Sequence, residues 1–218
     1  MVAGDQEHVG DQQRQPKWGI IFRGTGTRIS KEEKCSYHPD VPVFWQKNAW
    51  QDEAVTHGLV ETCAVDYLKQ QNFLEEGKPW LLEWDSVWHQ KCSHVVGYVE
   101  SRKGSCFYGT PQKSHGWQTI DCGSFGALAK AILGEVHEEW LDIGQNQVRW
   151  EENKISPKES RVLMTHFIAE VRVRFYGDKY KNARLKAVSQ TGLNGEMLAL
   201  KYSKHHVPAV MAAKFVVA

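Results

Sequence analysis

The run Trp80-Leu81-Leu82-Glu83-Trp84 constrains the fold of this chain more than any other stretch. Gly77-Lys78-Pro79 stands before it and Asp85 directly after it. An apolar run of this length, closed on both sides by turn-forming or charged residues, suits a short buried strand and not a helix. Such a strand needs helices to cover it. Between residues 50 and 73, Ala54, Val55, Leu59, Val60, Ala64, Tyr67 and Leu68 recur near a period of about 3.6 residues, the spacing of one helix face.

The same alternation continues in both directions. Residues 18–22 (WGIIF) form a strand-like run that ends at the Gly24-Thr25-Gly26 turn. Residues 41–45 (VPVFW) form another, which Pro42 pushes towards a strand start or a sheet edge. A helix is expected over 89–102, a strand over 105–108, and a long helix over about 121–141 with Phe125, Leu128, Ile132, Leu133, Val136 and Trp140 on its apolar side. The clearest helix start is Ser156-Pro157-Lys158-Glu159: Ser156 can cap, Pro157 suits the first helical position, and Glu159 completes a capping box. Leu163, Met164, Phe167, Ile168 and Val171 follow as its buried stripe. A short helix over 182–189 and an unassigned tail complete the chain. Strands alternating with helices predict an α/β domain, a sheet flanked by helices, with a helical C-terminal extension.

Composition agrees with a globular chain and excludes several classes. Of 218 residues, 41% are hydrophobic and 24% charged, enough to build a core without a metal or disulfide staple. The net charge of +1 leaves any affinity for nucleic acid to local basic patches. Five cysteines, an odd number and widely scattered, read as reduced thiols in an intracellular protein that is not secreted. The polar opening carries no apolar signal-peptide core, and no run approaches the roughly eighteen apolar residues of a membrane span.

Two carboxylates stand where chemistry can be built. Asp85 ends the buried strand, and the C-terminal ends of α/β strands are where such sheets present functional groups. Asp121 lies at the start of the long helix, after a turn-rich loop. Converging carboxylates are ligands for hard cations such as Mg²⁺ or Mn²⁺, which support in-line displacement at phosphorus. On spacing alone the plainer reading is favoured: Asp121 as a helix N-cap and Asp85 as a loop acid.

Ile20-Ile21-Phe22-Arg23-Gly24-Thr25-Gly26, then Tyr37-His38-Pro39-Asp40-Val41, then Phe44-Trp45-Gln46-Lys47-Asn48-Ala49-Trp50 resemble the start of the DDE superfamily endonuclease domain of pogo/mariner-like transposases. Asp85-Ser86-Val87-Trp88-His89-Gln90 looks like that family's second-aspartate motif, with Ser86 where Asn is usual. Trp117-Gln118-Thr119-Ile120-Asp121-Cys122-Gly123 looks like its third, with Thr119 where Pro is usual. Residues 134–141, the Ser-Pro-Lys-Glu-Ser-Arg helix start and residues 186–193 resemble the accessory region of eukaryotic members. The resemblance spans residues 18–193.

This resemblance implies an RNase H-like mixed sheet and two-metal cleavage and joining of DNA, in a nuclear or intracellular setting. By it, Asp85 and Asp121 are the second and third metal-binding carboxylates, for Mg²⁺ or Mn²⁺. Their carboxyl groups are expected on the order of 5–8 Å apart. The first carboxylate is expected on a strand upstream of Ile20, outside these residues, so the centre is expected to be catalytically incomplete. The organisation expected is a lead-in at 1–16, the partial endonuclease domain at 17–145, its helical accessory region at 146–193, and a tail at 194–218.

The remaining signals are weaker. Arg161, Arg172, Arg174, Lys179, Lys181, Arg184 and Lys186 form the one sizeable basic stretch, and Arg172, Arg174, Lys179 and Lys181 are candidates for phosphate contact. A solvated helix face is the competing reading. Gly24-Thr25-Gly26 is a turn and not a phosphate loop, because no Gly-Lys-Ser/Thr follows. Cys35 with His38, and His89 with Cys92 and His94, have ligand-like spacing but lack the paired motifs of a structural zinc site. A domesticated protein-interaction domain, which keeps the fold and drops DNA chemistry, is the alternative function.

Overall fold

The computed structural model describes residues 15–84, 87–108 and 125–191. In chain order the elements are β1 (Ile20–Arg23), α1 (Lys31–Cys35), β2 (Val43–Gln46) and α2 (Glu53–Leu59). A π-helical segment (Val60–Val65) joins α2 to α3 (Asp66–Gln70). Then come β3 (Trp80–Trp84), a 3₁₀ turn (Trp88–Gln90), α4 (Ser93–Glu100), β4 (Gly104–Tyr108), α5 (Phe125–Leu141), α6 (Asn146–Glu151) and α7 (Pro157–Tyr176). A 3₁₀ turn (Asp178–Tyr180) leads into α8 (Lys181–Thr191). The class is α/β, as the alternating pattern predicted.

The described strands form two parallel pairs. β1 pairs with β2, Ile20 opposite Val43 through Arg23 opposite Gln46. β3 pairs with β4, Trp80 opposite Gly104 through Trp84 opposite Tyr108. Each is two-stranded among the described residues, where the resemblance implied one mixed sheet. No described helix is long and apolar enough to cross a membrane.

The chain divides into two compact units. The first consists of residues 1–67 and 129–177, the second of residues 68–128 and 178–218. In the first, Val41, Val55, Val60, Val65, Ile132, Val136, Ala169, Val171 and Phe175 form the buried apolar core. Trp18 packs edge-on against Phe175, with ring centroids 5.1 Å apart. Helix α7 starts as its sequence demands: Ser156 Oγ accepts from Glu159 N at 3.2 Å, and Pro157 sits in the first turn. The reciprocal half of the capping box is replaced, because the Glu159 carboxylate takes a hydrogen bond from Arg149 of α6.

Helix α7 also holds the segment between α1 and β2. Arg161 donates twice to Glu33, at 2.7 and 3.0 Å. Tyr37 Oη donates to the same carboxylate at 2.8 Å. Thr165 Oγ1 accepts from His38 N at 3.0 Å. Glu33 is 4% exposed, so it satisfies the rule that a buried charge must be paired and hydrogen-bonded. These contacts explain why a five-residue helix as short as α1 persists: isolated helices of that length are unstable in water, and tertiary bonds supply what propensity cannot.

In the second unit, Leu68, Phe73, Trp80, Val95 and Val99 are buried. β3 and β4 lie so close to α4 at their N-terminal ends that only glycine fits at Gly104: an added Cβ would come 2.5 Å from the Trp80 ring and 2.6 Å from Val99. Trp80 Nε1 donates to Arg102 O at 2.9 Å, which satisfies the one polar atom of a buried indole.

Candidate functional site

Parallel pairing fixes where the second unit can present chemistry. Because Trp84 is opposite Tyr108, both strands finish on the same edge of the pair. Asp85 is the residue after Trp84, and the segment that carries Asp121 follows Tyr108. Asp85 and Asp121 themselves, and the distance between them, lie outside the described residues.

The turn that follows Asp85 is described and closely tied. Gln90 N donates to Val87 O at 3.2 Å and Lys91 N to Trp88 O at 3.0 Å. Tyr108 Oη, from the end of β4, donates to Gln90 O at 2.8 Å, and Cys92 Sγ donates to His89 O at 3.2 Å. Burial, followed by the neighbouring Cys106 thiol, raises the Tyr108 phenol well above its ordinary pKa, so it remains a donor at physiological pH. His89 and Gln90 are buried, while Trp88 is 71% exposed. Lys91 Nζ lies 5.4 Å from the centre of the Tyr108 ring. The sequence reading singled out the Asp85 motif but gave Trp88, Lys91 and Tyr108 no role. The signal was an aromatic and a cation three residues apart just beyond a strand end.

The four basic candidates divide sharply. Arg172 is 2% exposed and donates to Asp40 at 3.2 Å. A phosphate contact requires a guanidinium at the surface, whereas that of Arg172 is buried and paired with Asp40. Its Nε has no acceptor among the described residues. Arg174 donates twice to Glu139, each at 2.6 Å, and once to Glu170 at 2.7 Å. Those two carboxylates hold its pKa above the ordinary guanidinium value and take up its charge within the fold. In the second unit, Lys179 is exposed with its ammonium 4.7 Å from the Tyr180 ring, and Lys181 is exposed at the first position of α8. These two keep the surface placement that a phosphate contact needs.

The first unit has a cleft of about 430 Å³ between α5, α7 and the His38–Asp40 loop. His38 Nδ1 accepts from Asp40 N at 3.2 Å, so the proton of the neutral ring sits on Nε2. His166 Nε2 donates to Ser36 O at 3.2 Å, and the two imidazoles meet edge to face with centroids 5.3 Å apart. Burial lowers the His38 pKa; Asp40 opposes that shift, and His166 and Arg172 reinforce it. The cleft wall mixes Asp40, Glu139 and Glu170 with Arg172 and Arg174, so its fixed charges nearly cancel. Among the described residues, no group of three or more His, Cys, Asp or Glu side chains gathers as a metal site, and this includes the Cys35/His38 and His89/Cys92/His94 clusters.

No protein-family model, no curated protein and no solved structure matches this chain.

Proposed function

We propose that the chain is a transposase-derived DDE endonuclease domain, RNase H-like in fold, that binds DNA at the C-terminal edge of the β3–β4 pair. One observation carries the reading: β3 and β4 are parallel and end together, so Asp85 and the segment bearing Asp121 leave the same edge. Functional groups of α/β sheets gather at such edges. On this reading Asp85 and Asp121 bind Mg²⁺ or Mn²⁺, and Lys179 and Lys181 contribute phosphate contacts. Two-metal cleavage needs enough anionic ligands to hold both ions a few ångströms apart. These residues match two of the family's three carboxylate motifs, so DNA binding with a weak single-ion site is the activity proposed for them.

Binding to a labelled duplex over a range of salt concentrations tests the proposal. Phosphate contacts release counterions, so affinity should fall steeply between low and moderate salt. Absence of binding at low salt to the duplex and to a single strand alike would defeat it. A second reading, a protein-interaction domain that has kept the fold, draws on the internal pairing of Arg172 and Arg174 and on exposed Ile143, Val148 and Trp150. A chain that binds no DNA at any salt concentration would favour that reading.

A further inference from the structure

Among the described residues of the second unit, Trp88 is the most exposed large hydrophobic side chain, and its backbone is closely tied. The residue is 71% exposed. A tryptophan in water forgoes the burial of a side chain that can cover roughly 150–250 Å². The backbone beneath it does not yield to hide it. The 3₁₀ turn of residues 88–90 is closed by Gln90 N to Val87 O and by Lys91 N to Trp88 O. Tyr108 Oη ties the same turn to the end of β4. The next side chain, His89, is buried and meets the indole edge to face at 5.7 Å and 82°. That contact leaves the residue largely in solvent.

The electrostatics on the same turn are favourable to an anion. Lys91 is exposed, and its backbone is hydrogen-bonded to that of Trp88. Its ammonium lies beside the Tyr108 ring at 5.4 Å and forms none of the described ion pairs. Helix α4 begins two residues later with no acidic residue in its first turn. An exposed aromatic ring and an exposed cation on one closed turn offer what single-stranded nucleic acid recognises: a ring on which the base stacks and a charge for the backbone phosphate. Duplex DNA keeps its bases stacked on one another and has no free face to offer Trp88.

We propose that Trp88 is a stacking platform for an unpaired nucleobase, with Lys91 taking the adjoining phosphate, so that the strand bound at this edge is single-stranded or frayed. This rests on the DNA-binding reading and specifies which form of DNA the edge accepts. The strand next to Asp85 is then opened, or already open, where it meets the protein.

Fluorescence anisotropy with a labelled thymidine oligonucleotide and a labelled duplex of equal length, at low salt, tests the proposal. The wild-type chain binds the single strand more tightly than the duplex. Trp88→Ala weakens single-strand binding about tenfold and leaves duplex binding unchanged, while Trp88→Phe retains most of the affinity. Lys91→Gln weakens both and lowers the salt dependence. Single-strand binding that Trp88→Ala leaves intact, or wild-type preference for the duplex, overturns the platform and spares the DNA reading. Failure of both oligonucleotides to bind the wild-type chain overturns the DNA reading and the platform together. The exposure of Trp88 makes misfolding of its variants an unimportant complication, which far-UV circular dichroism checks.

Discussion

Arg161 grips Glu33 with two nitrogens, at 2.7 and 3.0 Å, although 128 positions of sequence separate them. The Glu33 side chain is 5% exposed and that of Arg161 24%, so this pair lies largely out of solvent. Removing one partner leaves the other charge without compensation, which is far more costly than losing a surface ion pair. Glu33→Gln or Arg161→Met should destabilise the first unit by about 3 kcal/mol. Urea unfolding monitored by tryptophan fluorescence would measure it, and a loss below ~1 kcal/mol would show that the pair is solvated.

The same carboxylate gives the fold an acid limit. Hydrogen bonds from Arg161 lower the Glu33 pKa below its ordinary value of 4.5, and the bond from Tyr37 adds to the effect while burial opposes it. The unfolded chain therefore binds the proton more readily than the folded one. Stability from this group is complete above about pH 4.5 and is lost as pH falls through the lower folded value. Thermal melts from pH 6 down to about pH 3 should show this loss in the wild type and a flatter profile in Glu33→Gln.

His38 should give a second dependence, nearer neutrality. Its pKa lies below the ordinary 6.5, first because it is buried, and its Nδ1 is occupied by the Asp40 N–H. The folded chain prefers the neutral ring, whereas the unfolded chain takes up a proton around pH 6.5. Stability thus declines as pH falls below about 6.5 and stops declining below the folded pKa. NMR titration of the imidazole protons would read the folded pKa directly, and a value above 6.5 would contradict the burial argument.

Gly104→Ala should disrupt the β3–β4 pair. The added Cβ would stand 2.5 Å from the Trp80 ring and 2.6 Å from Val99, both of them buried side chains. Overpacking of this kind typically costs about 1–3 kcal/mol. Gly97→Ala is the matched control, because beyond its neighbours and its own helix backbone nothing described lies within 4 Å of the Cβ it would add. Hydrogen exchange of the strand amides would separate the two variants; equal protection would mean that the Trp80 ring can step aside.

If Asp85 and Asp121 share a cation, Mn²⁺ should raise the melting temperature of the wild type. Two nearby carboxylates repel, and a divalent ion relieves the repulsion by binding the native state. A weak single-ion site contributes about 1 kcal/mol or less, a rise of roughly 2–4 °C at most. Asp85→Asn and Asp121→Asn should each abolish the rise. An unchanged rise in both variants would assign the ion elsewhere.

Much of the fold was legible in local pattern. Strand β3 has the expected limits because Pro79 and Asp85 punctuate it on either side. Helix α7 begins at Pro157 because Ser156 caps the Glu159 N–H and proline suits the first turn, both signals local to the sequence. Helices α1 and α6 were not foreseen, because KEEKC and NQVRWE offer no apolar stripe. Their support comes from distant partners, Arg161 for Glu33 and Glu159 for Arg149. The burial of Arg172 within the basic stretch was not legible for a related reason. Charge is visible in sequence, but direction depends on helix phase: Thr165, Ala169 and Arg172 fall on one buried face of α7. Counting that spacing through Arg172 would have marked it as interior.

The first unit is assembled from two separated lengths of chain, residues 1–67 and 129–177. During synthesis the earlier length leaves the ribosome with Glu33 and the His38 loop already exposed, while the helix that secures them is still untranslated. A nascent chain at about 5–20 residues per second spends several seconds in that condition. The ribosome-bound chain is therefore the form most open to chaperones and proteases, and the first unit becomes resistant only after α7 has emerged.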